Sequence, residues 1–321
     1  MTKPFLTIDQ QIELLKSKNL LFKSEKNAKK LLSNIGYYKL INAYRIPFII
    51  ESNNKKLFDK GTYFEDLYNL YVFDSNLRTI VFGAATAVEI SFKSHLSNEI
   101  SSEFGVSDQD YLRKENYKED THAKSEYSFD TMKDHITKSI EKQIRNNHPA
   151  IVWYKEKHQY YPFWVVANIL TIGDSSRIYG KLKEKNRINI AKNYQLPYDY
   201  LASYIIHINL IRNVCAHNDV LYRYKTINSI PQKINKVKEI YEKMGIGINN
   251  ASGRYERGVN DLLATIIVFK TLLSIDDFNL FKTQLLGLIE KLQKKLDELK
   301  FNKVLKEMGL NENWKETIKN I

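Results

Sequence analysis

The sequence predicts an all-α protein, on two observations. Glycine and proline, the residues that interrupt helices, number only 12 and 6 in 321 residues. Apolar residues recur at helical spacing over long spans. Leu67, Leu70, Tyr71, Phe73, Leu77, Ile80 and Val81 make one such series; Phe278, Phe281, Leu285, Ile289, Leu292, Leu296 and Leu299 make another. A hydrophobic content of 43% with 12% aromatics is enough for a packed core and excludes a disordered chain. No internal repeat, low-complexity tract or clear linker divides the chain. One helical domain with an N-terminal extension is the expected organisation, with residues 1–60 as the extension and 61–321 as the domain.

Taken in order, Thr7 with Gln10 forms a capping-box pattern for a first helix, and Ser24 opens a second that Gly36 lets turn. The aromatic segment from Tyr37 to Phe48 packs these helices onto the bundle or, with Lys39, stacks on RNA. Residues 51–61 form a polar loop between short extended pieces. Residues 62–100 predict a long helix with a break near Gly83. Glu89 stands there among Ala84, Ala85, Ala87, Val88, Ile90 and Phe92, where a carboxylate calls for a cationic partner. Asp74 and Arg78, four apart, are placed to bridge one another.

The charged span 101–128 is the candidate mobile or inserted segment. A basic amphipathic helix over 129–148 follows, with Lys133, Lys138, Lys142 and Arg145 on its polar side. Gly173-Asp174-Ser175-Ser176 lacks the spacing of a phosphate loop and is expected to be a turn before a helix over 176–182. Helices are expected over 187–194, 197–217, 259–273 and 274–299, the last two long and C-terminal. The stripe on the last suits a core or a dimer seam.

The formal net charge is +12, which suits a polyanionic partner or a solvated, lysine-rich surface. Cys215 is the only cysteine, so no internal disulfide and no cysteine zinc site can form. The seven histidines show no ligand spacing. No metal and no cofactor is expected. There is no signal-peptide pattern, and the apolar run 262–273 is too short to span a bilayer. A cytoplasmic protein without membrane contact is expected.

The chemically richest stretch is Ile211-Arg212-Asn213-Val214-Cys215-Ala216-His217-Asn218-Asp219. At about 100° per residue, Arg212, Asn209, Asn213 and His217 share one polar sector of an otherwise apolar helix, floored by Ala216. Cys215 and His217 point about 200° apart, which disfavours a cysteine–histidine nucleophilic pair. Interleaved basic and aromatic residues follow, Tyr222, Arg223, Tyr224 and Lys225, a composition that suits single-stranded RNA.

Arg212 to His217 resembles the R-x4-6-H motif of HEPN-superfamily ribonucleases. Asn34 to Phe48, Phe64 to Arg78 and Pro162 to Ser176 precede it in the order found in the Abi-like (AbiD/AbiF type) bacterial abortive-infection family. The resemblance covers roughly residues 5–225 and leaves the last third unmatched. It implies a HEPN-type helical bundle with a cytosolic endoribonuclease toxin activity in phage defence. Its site would consist of Arg212, Asn213 and His217, supported by Asn209 and Glu89. Tyr222, Arg223 and Lys225 would contact RNA. Where relatives carry a tryptophan soon after the motif histidine, this chain has Tyr222.

RNA carries its own nucleophile, the 2′-hydroxyl, so cleavage needs a base, an acid and a cation but no metal. Histidine suits either proton role, and arginine presents a charged fork to phosphate. Asn213 would hold a phosphate or fix the imidazole. One chain supplies one histidine here, so a homodimer with a composite site is expected, as the resemblance also implies. The basic surface also suits a small regulatory RNA. The alternatives are a buried polar network without catalysis and a module that binds RNA or protein without cutting.

Overall fold

The computed structural model describes residues 4–52, 55–119 and 127–321. It is predominantly helical, with two small antiparallel hairpins among the described residues. Helix α1 (Ile8–Lys16) starts at the expected capping box: Gln10 donates its backbone N–H to Thr7 Oγ1, and Thr7 donates its own to Gln10 Oε1. Helix α2 (Glu25–Ile35) is capped by Ser24 and ends at Gly36, whose φ of 88° an L side chain would resist. A π-type turn over Tyr38–Asn42 and a 3-10 turn over Ile46–Phe48 lead into a hairpin of β1 (Ile49–Ser52) and β2 (Lys55–Phe58).

Helix α3 (Phe64–Phe104) is 41 residues long and organises the rest. It passes straight through Gly83, where a break was expected. A lone glycine costs only about 1 kcal/mol in a helix interior. Buried Val81, Ala85, Val88 and Phe92 around it offset that cost. The helix also runs on past Ile100 into the span expected to be mobile. Beyond it, α4 (Asp108–Tyr111) is tied down: Tyr111 is buried and donates its hydroxyl to the Tyr161 carbonyl, and Tyr117 is buried too. Residues 120–126 of that span lie outside the described residues.

Helix α5 (Phe129–Arg145) buries Phe129, Met132, Ile136 and Ile140 and exposes its lysines. Then come α6 (Pro149–Lys157), α7 (Phe163–Ile169) and α8 (Ile172–Lys181). The expected turn at 173–176 is instead the first part of α8. Thr171 caps it, accepting from the Asp174 N–H, while Asp174 accepts the Thr171 N–H in return. That reciprocal cap places the helix start ahead of Gly173. Helix α9 (Glu184–Lys192) leads to α10 (Tyr198–Ala216), which packs against α3, α8 and α9.

A loop then leads to α11 (Asn235–Lys243), a two-residue hairpin of β3 (Ile248–Asn249) and β4 (Arg254–Tyr255), and α12 (Leu262–Leu272), which covers α10 from the other side. The expected helix over 274–299 is two: α13 (Ile275–Gln293) and α14 (Glu298–Glu307), the latter capped by Asp297. Helix α15 (Trp314–Lys319) follows. Phe278, Phe281, Leu285, Ile289 and Leu292 are buried and α13 lies along α3. Leu299 falls outside the stripe and is exposed. The stripe is core, consumed within the chain, and not a seam. No helix among the described residues is long and apolar enough to cross a membrane.

His207, on the core side of α10, shares a hydrogen bond of 2.9 Å with Thr265 Oγ1 of α12, and its Nδ1 has no partner. Burial pushes its pKa from 6.5 down to about 4. The unfolded chain therefore binds a proton that the folded chain refuses between these values. Stability should fall as pH drops through that window, by up to about 3 kcal/mol from this group. His207→Gln should flatten this part of the stability–pH curve in denaturant titrations. An unchanged slope would assign the acid sensitivity to other groups.

Candidate active site

Helix α10 brings its polar sector to its own C-terminal end. His217 is the C-cap residue, with φ −86° and ψ 2°. Asn218 takes the left-handed conformation at φ 59°. Its N–H donates to the Cys215 carbonyl, and Asp219 donates to the Val214 carbonyl. These two bonds form a Schellman ending. The His217 N–H is spent on the Asn213 carbonyl at 2.9 Å, while its side chain is exposed. Cys215 is partly buried, and burial pushes its thiol up to about 12, so it stays a thiol at neutral pH.

Arg212 is one-third exposed and lies over the Phe82 ring of α3, 5.4 Å from its centroid. Its Nε has no hydrogen-bond partner. Glu89 stands 4.0 Å from that nitrogen, but pairs more closely with Lys93 at 2.6 Å. Together with Trp164 and Asn168 of α7, these residues border a groove of about 500 Å³. Asn209 is half-buried against α8; a Cβ at Gly173 would meet its side chain at 3.4 Å. Asn209 is thus a packing residue between two helices.

The loop that leaves α10 is anchored on α3, a connection that no local sequence signal predicts. Asp74 is fully buried and bridges Arg78, whose guanidinium is 2.5 Å away, as the i, i+4 spacing suggested. Asp74 also accepts the Tyr44 hydroxyl at 2.8 Å and the backbone N–H groups of Tyr222 at 2.7 Å and Leu221 at 3.2 Å. Arg78 donates in turn to the Asp219 carbonyl at 3.2 Å. Burial pushes the Asp74 carboxyl up, while Arg78, Tyr44 and the two amides pull against it.

This anchorage corrects the reading of Tyr222 as an RNA-stacking residue. Its ring is fully buried and stacks on Tyr44, with centroids 6.1 Å apart. The bonds at Asp74 turn the loop so that this ring faces inward. Arg223 is half-buried and Lys225 is exposed. Arg223 lines a second cavity with Tyr38, Asn42, Arg78, Asn218 and Asp219. Arg212 and the residue beside His217 therefore border different cavities.

Removing the Asp74 carboxylate would leave Arg78, only 5% exposed, without its counter-ion. Asp74→Ala should cost about 3–5 kcal/mol in a denaturant titration with little change in its slope. A loss below about 1 kcal/mol, as for an exposed pair, would show that the loop is held by other contacts.

Comparison with curated proteins and with solved structures finds no match. A family model described as Abi-like protein matches residues 30–223. That span reaches from α2 through the anchored loop and contains Tyr44, Asp74, Arg78, Glu89, Arg212 and His217. With more than half of its length matched, this chain belongs to the Abi-like protein family.

Proposed function

We propose that the chain is a metal-independent endoribonuclease of HEPN type, acting as a toxin in abortive-infection defence. The observation that carries the reading is the exposed His217 at the capped end of α10, five residues after Arg212. The 2′-hydroxyl of the substrate gives up its proton and attacks the adjacent phosphorus, while the bond to the 5′-oxygen of the next nucleotide breaks and that oxygen is protonated, leaving a 2′,3′-cyclic phosphate. His217 transfers protons, and Arg212 neutralises the charge that gathers on the phosphate oxygens. Asn213 supports the imidazole or a phosphate oxygen. The net charge of +12 favours RNA over a neutral partner.

One observation favours a second reading. Within one chain Arg212 and the neighbour of His217 border separate cavities. Either a second copy completes the site, or the chain binds RNA without cutting it. In the composite reading, a two-fold axis sets the Arg212 and His217 of both protomers in one cleft.

Purified protein incubated with total RNA should cleave it. His217→Ala should lower the rate by roughly 10²–10⁴-fold, and EDTA should leave it unchanged. Activity lost in EDTA and restored by one divalent ion would remove the proposed chemistry. Mixed dimers test the composite site. A chain carrying Arg212→Ala and His217→Ala, paired with a wild-type chain, should retain far less than half of the wild-type rate. Retention of half would mean independent sites in each protomer.

A further inference from the structure

We infer that the cavity between the Tyr38–Asn42 turn and the loop leaving α10 binds one unpaired base of single-stranded RNA, next to the phosphate presented to His217. This rests on the nuclease reading for its place in the reaction, but not for the binding itself.

Size comes first. The cavity measures about 210 Å³. A protein cavity of roughly 150 Å³ accepts benzene, so this space holds the rings of one base and not a base with its sugar. Its wall includes Asn218, the residue next to His217. The cavity thus reaches the residue that follows His217 in the chain.

Chemistry comes second. Tyr38 stands at the cavity with 78% of its surface exposed, a large side chain left mostly in solvent in the free chain. A ring so placed is a stacking platform, which any base can use. Asn42 offers both a donor and an acceptor to the edge of a base. Lys39 is exposed at the cavity. Arg223 lines it with a buried Nε that has no hydrogen-bond partner. A buried donor without a partner is costly, and a phosphate or base acceptor in the cavity would satisfy it. Among the described residues that line the cavity, Lys39, Arg78 and Arg223 face one carboxylate, Asp219.

The route to the cavity has the same character. Asn42 also borders a larger cavity of about 550 Å³, with Phe5, Gln11, Tyr37 and Arg45. Arg45 Nε and Gln11 Oε1 are likewise buried without partners. The two spaces meet at Asn42 and give a single strand a basic, aromatic path across the N-terminal segment. A base locked in a duplex cannot enter a space of this size, so the site selects unpaired RNA.

The test uses the full chain carrying His217→Ala, which binds without cutting, and a fluorescein-labelled single-stranded RNA oligonucleotide read by anisotropy. Tyr38→Ala and Arg223→Ala should each weaken binding by about tenfold. Lys39→Ala, at an exposed position, serves in place of Arg223→Ala if that variant fails to fold. Trp153→Ala, which removes an exposed ring on α6, should leave affinity as it was. The same oligonucleotide annealed to its complement should bind more weakly and ignore Tyr38→Ala. Asn42→Ala should narrow the affinity differences among homopolymers of the four bases. Unchanged single-strand affinity in the Tyr38 and cation variants, or equal loss on duplex, overturns the site. Loss of cleavage in His217→Ala with normal binding by Tyr38→Ala would keep the nuclease and remove the subsite. The expected binding pattern in a chain that cuts nothing would do the reverse.

Discussion

The shape of the candidate site depends on the carboxylate of Asp74. It gathers donors from three separated stretches: the hydroxyl of Tyr44, the guanidinium of Arg78, and the amides of Leu221 and Tyr222. A buried anion costs several kcal/mol to desolvate, and only a full set of partners offsets that cost. Each partner is therefore held in place by the others. The N-terminal segment, the long helix α3 and the exit of α10 become one unit at this point. His217 sits only a few residues before the anchored amides, after a Schellman ending that already fixes the chain direction. An exposed side chain is thus carried on a backbone with little freedom.

Helix α3 makes this arrangement possible because it is long enough to serve two purposes. Its faces are covered by α10 and by α13, among others, so apolar residues appear all round it and no single stripe dominates. Within that apolar surface it carries two charged groups of different kinds. Asp74 and Arg78 are sealed in and hold structure. Glu89 and Lys93, four turns on, border the open groove where Arg212 lies. The separation between anchor and groove follows from the length of the helix, since neither could be moved without losing its partner on α10 or the loop beyond it.

Local chemistry was legible in the sequence, and distant partnership was not. Thr7, Ser24 and Gly36 declare helix ends through atoms within three or four residues, and the structure has those ends. At Gly173 the helix starts four residues ahead of the expected position. The cap there belongs to Thr171, whose partner Asp174 was taken for part of a turn. Asp297 shows the same thing, since its cap bond to Lys300 N–H divides a helix that periodicity alone made continuous. Tyr222 is a different case. Basic and aromatic residues alternate in the same way whether a ring faces solvent or core. What turns this ring inward is a carboxylate 148 residues away in the chain. The i, i+4 pair of Asp74 and Arg78 was visible, but nothing local could reveal that it also holds the exit of α10.

The state of Arg212 bears on what its groove is for. A guanidinium clamped by a carboxylate in two short bonds has one edge and its charge already committed. Arg212 is not clamped in that way. Glu89 is nearest to it at 4.0 Å, while Lys93 draws the same carboxylate to 2.6 Å and is itself fixed by donating to the Leu170 carbonyl. Lys93 thereby neutralises Glu89 without occupying Arg212. Its guanidinium lies over the Phe82 ring, and both residues line the groove. Such an arginine is positioned but underpartnered, the condition in which a phosphate adds a bond without breaking an existing one. The same logic separates the roles of the two arginines on this site. Arg78 is saturated by Asp74, Tyr44 and Asp219 and holds the loop, whereas Arg212 Nε has no hydrogen-bond partner.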